Sequence, residues 1–309
     1  MARCSIIIPA YNAERYVADT IRSALTQSYT DREVIVVNDG STDGTATAIA
    51  PFVNQIVYIE QANRGSAAAR NRAIAASSGE LIAPLDADDL WLPEALERIV
   101  EHMDRHPEFG MVTTTTKRRV RPFRTENQAF WMGQYNFLTA TPVIRRELFE
   151  RHGLFDETLR ATEDWELWMR FLARGERVGA IEGAYFIYRR HSESKTANLE
   201  AQAVRCRDEL EQVVARGMAI RGITATLADA RGRAAVATGD ARRARAHFVS
   251  TVMDRSGAAR TRLRALPFVF APALSWRWYS RRVARARRRA FVRGAQRAAE
   301  AGYTFAELE

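Results

Sequence analysis

The stretch Leu81-Ile82-Ala83-Pro84-Leu85-Asp86-Ala87-Asp88-Asp89 passes from an unbroken apolar run to three carboxylates within four positions. Gly79 precedes the run and charge ends it, the boundaries of a short buried strand. In an open α/β sheet, ligands bind beyond the carboxyl ends of the strands. The three acids therefore stand where a site belongs. Like charges this close raise one another's proton affinity unless a cation intervenes. Carboxylate oxygens suit Mg²⁺ or Mn²⁺, and Mg²⁺ commonly joins one or two carboxylates to substrate phosphates. The competing assignment is an acidic turn leading into the helix that Pro93 starts, because Asp clusters also favour turns.

Three further apolar runs lie upstream. Cys4-Ser5-Ile6-Ile7-Ile8-Pro9 has the near-continuous β-branched character of a strand covered on both faces. A helix is expected from about Ala13 to Gln27, with Asn12 as its N-cap and Val17, Ile21, Ala24 and Leu25 on its inner side. Glu33 to Asn38 is a second strand, ending in the turn formers Asp39-Gly40-Ser41-Thr42-Asp43-Gly44. A helix to Ala50, a third strand from Ile56 to Glu60, the polar loop Asn63-Arg64-Gly65-Ser66 and an Ala-rich helix from Ala67 to Ala76 complete the series. This βαβ alternation predicts a mainly parallel sheet with right-handed crossovers. Asp39 and the Asp86 group then share one sheet edge. Asp39 either accepts hydrogen bonds from a nucleotide's base and ribose or closes an Asx turn.

The chain has 309 residues, 47% hydrophobic and 27% charged, enough for one large domain and an appendage. Its net charge of +9 is concentrated after residue 240, a pattern that points to an anionic partner surface. Cys4 and Cys206 are far apart, without metal-ligand spacing, which suits a reducing cytoplasmic setting. The segment after Met1 lacks the charged and apolar regions of a secretory signal. The apolar stretch from Ala265 to Trp276 is broken by Pro267 and Pro272 and falls short of the roughly 20 residues of a membrane span.

Ser5-Ile6-Ile7-Ile8-Pro9-Ala10-Tyr11-Asn12, Val36-Val37-Asn38-Asp39-Gly40-Ser41-Thr42-Asp43 and Asp86-Ala87-Asp88-Asp89, in this order and spacing, resemble the family 2 glycosyltransferases, over roughly residues 3 to 195. The resemblance implies a GT-A type, Rossmann-like α/β fold: a mainly parallel sheet flanked by helices, here followed by an α-helical C-terminal appendage. It implies that Pro9, Ala10 and Tyr11 line a nucleotide pocket with Glu14 near it, and that Asp39 binds the base. It places Asp86 near the ribose and makes Asp88 the ligand of a Mn²⁺ or Mg²⁺ that holds the diphosphate. Asn63 to Gly65 and Ala69 to Asn71, with Arg70 among the nucleotide-sugar contacts, match two further family segments. Ala73 stands where the family usually has Gly.

Downstream, Lys117 to Gln134 is basic and aromatic, either a solvated loop or an acceptor loop with rings for a sugar and cations for phosphates. Ala140 to Ile144 is expected as a strand, followed by a short helix from Arg145 to Arg151. Glu163-Asp164-Trp165 opens a helix to about Ala173, where acids are ordinary partners of the helix dipole. In the resembling family this Glu-Asp pair supplies the catalytic base, which makes Asp164 the base and Glu163 its neighbour. An inverting transfer needs only a carboxylate that takes the acceptor hydroxyl's proton, and a second acid beside it raises the pair's proton affinity. His191, after the strand Tyr185 to Tyr188, is by the same resemblance an extra metal ligand or phosphate contact.

Leu199 to Arg216, Thr224 to Ala237 and Ala241 to Met253 read as helices, the last two a hairpin joined at Gly239-Asp240, and together a packing appendage. Beyond them Leu266, Phe268, Phe270, Trp276, Trp278 and Tyr279 adjoin dense arginine, a composition that suits anionic lipid headgroups. A solvated basic helix is the alternative, and no nucleic-acid-binding module is present. The expected activity is an inverting, metal-dependent transfer, of the hexosyltransferase class, from a nucleotide-sugar donor, UDP-linked, to a glycan or lipid-linked acceptor in polysaccharide biosynthesis. The protein would work in the cytoplasm, peripherally on the membrane. A sugar nucleotidyltransferase would carry a Gly-rich, basic loop after the first strand, where Pro9-Ala10-Tyr11-Asn12 stands. An inactive glycan-binding protein would have no need of the Asp39, Asp86, Asp88 and Asp164 set.

Overall fold

A computed structural model describes residues 3–115, 123–134, 136–138, 142–183, 185–189, 199–218, 220, 223–254 and 259–282. The strands are β1 (Cys4–Ala10), β2 (Arg32–Asp39), β3 (Val57–Gln61), β4 (Leu81–Pro84), β5 (Leu90–Trp91), β6 (Met111–Thr115), β7 (Val143–Arg145), β8 (Val178–Glu182) and β9 (Phe186–Ile187). Seven of them form one sheet in the order β3-β2-β1-β4-β7-β6-β8, and β5 pairs with β9 apart from it. The β3-β2-β1-β4 half is parallel throughout. β7 runs antiparallel to both β4 and β6, and β8 is parallel to β6. The helices are α1 (Val17–Leu25), α2 (Thr45–Ile49), α3 (Ser66–Ala76), α4 (Ala95–Arg105), α5 (Gln128–Gln134), α6 (Arg146–His152), α7 (Glu163–Ala173), α8 (Leu199–Ala215), α9 (Ile223–Ala237), α10 (Ala241–Met253) and α11 (Ala259–Phe270).

Alternation along the strands explains the continuous apolar runs. Ile6, Ile8, Val34, Val36, Leu81 and Ala83 pack with Val17 and Ile21 of α1 and with Leu96 and Ile99 of α4. Ile7, Ile35, Val37 and Ile82 point the other way, into a cluster with Ala69 and Ala73 of α3 and Trp168 and Phe171 of α7. Both faces are covered, so all side chains of β1 and β4 but Pro9 are buried. Each such aliphatic side chain contributes about 1.5–3 kcal/mol of burial free energy. Ala73, where the family has Gly, is fully buried in this second cluster.

Asn12 does not cap α1. The helix starts at Val17, with Tyr16 as the cap residue. Asn12 adopts a left-handed backbone (φ 47°). Its side chain accepts the Thr42 N–H (2.8 Å), while its own N–H donates to the Ser41 hydroxyl (3.0 Å). It ties the loop after β1 to the loop after β2, a use of Asn that local sequence does not distinguish from capping.

The helices after residue 199 begin by packing onto the α/β core. Leu210 and Val213 of α8 and Ile223 and Leu227 of α9 belong to the same buried cluster as Leu167, Trp168 and Phe171 of α7. The hairpin of α9 and α10 turns at Gly239 (φ 82°) and builds a separate cluster from Ala235, Ala244, Phe248, Ala265, Phe268 and Trp276.

Candidate functional site

Because β1, β2 and β4 are parallel, their carboxyl ends at Ala10, Asp39 and Pro84 emerge on one edge. Ala10 is buried as β1 ends, and Tyr11 beyond it is half-exposed. Pro9 precedes them, opposite Val37 of β2. Glu14 accepts the Gly44 N–H (2.6 Å), and its own N–H donates to Asp43 (3.2 Å). Glu14 therefore braces the turn after β2. The Asp43 carboxyl is held below its usual range, because bonds to Thr45 and Glu14 outweigh the cost of its partial burial.

Asp39 is buried, and its oxygens do not close an Asx turn. Oδ1 accepts from Gln61 Nε2 (2.7 Å) and the Arg64 N–H (2.8 Å), and Oδ2 accepts the Gly65 N–H (2.7 Å). The turn itself is closed by Asn38, whose Oδ1 accepts the Ser41 N–H (3.1 Å). Asp39 thus fixes the loop that precedes α3. Gly65 has a positive φ of 92°, a backbone conformation that favours Gly, and the Arg160 guanidinium lies against it.

The next residue, Ser66, donates its hydroxyl to Glu163 (2.6 Å), the first residue of α7. One turn further on, buried Arg70 donates to Glu163 through Nη1 (3.1 Å) and to Asp86 through Nη2 (2.7 Å). A single guanidinium so joins the end of β4 to the start of α7. Its Nε is buried without a hydrogen-bond partner among the described residues. Asn71, beside it, is structural: it exchanges hydrogen bonds with the backbone of Phe155 (2.9 and 3.0 Å). Asp164 accepts the Trp165 N–H (2.7 Å) on one oxygen and Asn136 Nδ2 (3.2 Å) on the other. Burial first, and the charge of Glu163 next, push the Asp164 carboxyl up to about 6, against the opposing pull of Arg70.

The three acids after β4 have separate surroundings. Asp86 and Asp88 are partly exposed, whereas Asp89 is buried. Burial, then the charges of Asp88 and Asp86, hold the Asp89 carboxyl well above its usual range. The turn is clamped by Arg189, which follows β9. Its N–H donates to Asp89 (3.0 Å), its Nε to the Asp88 carbonyl (2.6 Å), and its Nη2 to the Tyr16 carbonyl and the Thr20 hydroxyl (both 2.8 Å). Among the described residues no three His, Cys, Asp or Glu side chains converge as a ready-made metal cage. Asp88, partly exposed, nevertheless offers the oxygen donors that suit a cation taking its remaining ligands from phosphates and water, whereas Asp86 is paired with Arg70.

His191 lies outside the described residues, as do Lys117, Arg118, Arg119 and Arg121 of the basic segment. The end of that segment is helical: α5 carries Trp131, on which the Arg124 guanidinium stacks at 3.8 Å, and its Met132 carbonyl accepts Trp165 Nε1 (2.7 Å). Ser66, Asn136 and Arg189 have no place in the sequence-based expectation. An arginine directly after an apolar strand is the only local signal for Arg189, and the other two carry none.

Residues 5–158 match the family model described as Glycosyl transferase family 2, and across them the chain belongs to that family. It is 34% identical over 204 residues to the succinoglycan biosynthesis protein ExoU of Rhizobium meliloti, a match covering 57% of this chain and 58% of that one. The chain likewise spans only 58% and 59% of the length of two rickettsial relatives. Among solved structures it resembles TarS 1–349 of S. aureus in complex with UDP-GlcNAc, with a TM-score of 0.59 and 18% identity over 90% of this chain and 92% of that one. It also resembles the mannosyltransferase PcManGT of Pyrobaculum calidifontis in complex with GDP-Man and Mn²⁺, with a TM-score of 0.57 and 21% identity over 89% and 87%. At these identities the likeness establishes the fold, which is the GT-A type.

Proposed function

We propose that this glycosyltransferase moves a sugar from a nucleotide-diphosphate donor, UDP-linked, to a hydroxyl of a glycan or lipid-linked acceptor, with inversion, in polysaccharide biosynthesis. The observation that carries the proposal is the Arg70 bridge, which joins the donor-side acid Asp86 to Glu163, next to Asp164. In one in-line displacement, the acceptor oxygen bonds to the anomeric carbon as the bond from that carbon to the diphosphate breaks. The leaving diphosphate keeps the electron pair, and the hydroxyl proton passes to Asp164. The raised proton affinity of Asp164 suits a base that works near neutral pH. Ser66 and Arg70 hold Glu163, so that it stays beside Asp164 rather than competing for the proton. Pro9, Ala10, Tyr11, Glu14 and Asp39 form the nucleotide side, and the loop that Asp39 fixes closes it. Asp88, with His191 as a further ligand, would hold a Mn²⁺ or Mg²⁺, which supplies charge neutralisation to the leaving diphosphate. The complexes of PcManGT with Mn²⁺ and of TarS with UDP-GlcNAc support metal and donor class respectively.

The catalytic domain is taken as residues 1–195 and the helical region as 196–309. No described helix is long and apolar enough to cross a membrane. Leu263, Leu266, Phe270, Leu274 and Trp278 are exposed at helical spacing along α11 and the helix over 272–282, while Ala265, Phe268 and Trp276 point inward. Arg264, Arg277, Arg281 and Arg282 are exposed around this stripe. An apolar stripe bordered by arginine matches an anionic lipid surface, to which each basic residue contributes about 1 kcal/mol. We therefore assign this face to peripheral contact with the cytoplasmic leaflet, where a lipid-linked acceptor is met.

The test is a thermal-shift panel of nucleotide sugars with Mn²⁺, followed by transfer assays with the donor that stabilises most. Selective stabilisation by a UDP-sugar, lost in Asp88→Ala, is expected. A panel without any stabilising nucleotide sugar, or full transfer by Asp164→Asn, would refute the assignment.

A further inference from the structure

Glu209 lies on α8, beyond the segment that matches the family, yet its carboxylate is buried at the entrance to α7. Oε1 accepts the N–H groups of Arg160 (2.7 Å) and Ala161 (3.0 Å). Oε2 accepts the N–H groups of Ala161 (3.0 Å) and Thr162 (2.8 Å) and the Thr162 hydroxyl (2.8 Å). Three successive backbone N–H groups therefore converge on one carboxylate, an anion-binding concavity filled by the chain's own side chain. Thr162 is the cap residue of α7, but its side chain makes no capping bond and turns to Glu209 instead. On its far side the same turn meets the donor loop, where the Arg160 guanidinium lies against Gly65. The turn that carries Glu163 and Asp164 is thus held between the donor loop and a helix from outside the family segment.

We propose that Glu209 is a positioning residue for Asp164: α8 sets the place and the burial of the base through the 160–162 turn. The proposal rests on Asp164 being the base. A misplacement of about 1 Å can cost on the order of a hundredfold in rate. Glu209→Gln keeps the shape but replaces one acceptor oxygen with an NH₂ that faces the turn's own donors. In the full chain, with the donor found by the thermal-shift panel, this variant should lower kcat by roughly 10- to 100-fold and leave the donor KM within about twofold. Because a loosened turn admits water to Asp164, the acid limb of its kcat profile should move to lower pH. Glu209→Asp, which keeps both oxygens, should recover part of the rate. A folded Glu209→Gln protein with wild-type kcat and an unmoved profile would overturn the proposal. Should Glu209→Gln not fold, Thr162→Val removes one bond to Glu209: a fall in kcat of about threefold at unchanged donor KM supports the role, and wild-type kcat overturns it. Asp164→Asn separates the two claims. If it retains full transfer, the base assignment has failed; if it is inactive while Glu209→Gln is unimpaired, only the positioning role has failed.

Discussion

The two sides of the proposed site are built differently. On the proposed nucleotide side, Asp39 stands at a strand end and is held by nearby chain: Asp39 and the Gly65 N–H that it accepts are 26 residues apart. On the base side the partners are distant. Ser66 reaches Glu163 across 97 residues, Arg70 reaches it across 93, and Glu209 reaches back 47 residues to Thr162. A site half formed by local strand–turn geometry can be found from sequence motifs. The other half exists only once the helices have packed, and it is where distant substitutions should act.

The sharpest way to break this contrast is Asp164→Asn. Transfer should fall by roughly 10²–10⁴-fold while nucleotide-sugar stabilisation in a thermal-shift assay persists. Loss of donor binding as well would mean that the two sides are not separable. Next is Arg70→Ala, which removes the shared cation and leaves buried Glu163 with the Ser66 hydroxyl but without the guanidinium. A loss of about 3 kcal/mol in denaturant-unfolding stability is expected, on the scale of broken buried ion pairs. Asp86 is partly exposed and accounts for less of that loss than Glu163.

The pH dependence comes third. The Asp164 carboxyl is pushed up to about 6, so the ionised form that the proposed base role requires is lost as pH falls through that value. Then kcat/KM should drop about tenfold per pH unit below 6 and level off above it. The same shift has a stability sign. A carboxyl raised in the folded state favours folding when protonated, so its ionisation costs stability as pH rises from about 4 to above 6. Asp164→Asn should accordingly be more stable than wild type at pH 8, by on the order of 2 kcal/mol, and lose that advantage near pH 4.

The smallest effect on catalysis belongs to the far end of the helical region. Phe270→Ser with Trp278→Ser should weaken co-sedimentation with anionic vesicles by about tenfold or more, while transfer to a soluble acceptor stays within about twofold. If it lowered transfer to a soluble acceptor instead, α11 would belong with α8 on the base side rather than apart from it.

Much of the strand-and-turn frame on the proposed nucleotide side was legible because its signals are short-range. The alternation of Ile6, Ile7 and Ile8 predicts two covered faces, and the acids at Asp39 and Asp86 mark where strands stop. Asn12 shows the limit: a polar residue before a helix pattern has the same local signature as a cap, and only contact with Ser41 and Thr42 reveals that it joins two loops. The arginine clamp at Arg189 spans 100 residues to Asp89. No spacing rule reaches that far.

Sequence alone determined the alternation of β1 to β4 with the helices between them and the acids at the strand ends, since these follow from side-chain periodicity and chain connectivity; β5, β8 and α5 were not legible in it, and the Glu163-Asp164 pair stood out only through the family resemblance. Only the tertiary structure decided that Arg70 joins Asp86 to Glu163, that Asp39's oxygens are taken up by the 61–65 loop, and that Glu209 holds the turn before Asp164. Buried polar groups must find partners wherever packing brings them, and packing is a property of the closed chain rather than of any stretch of it.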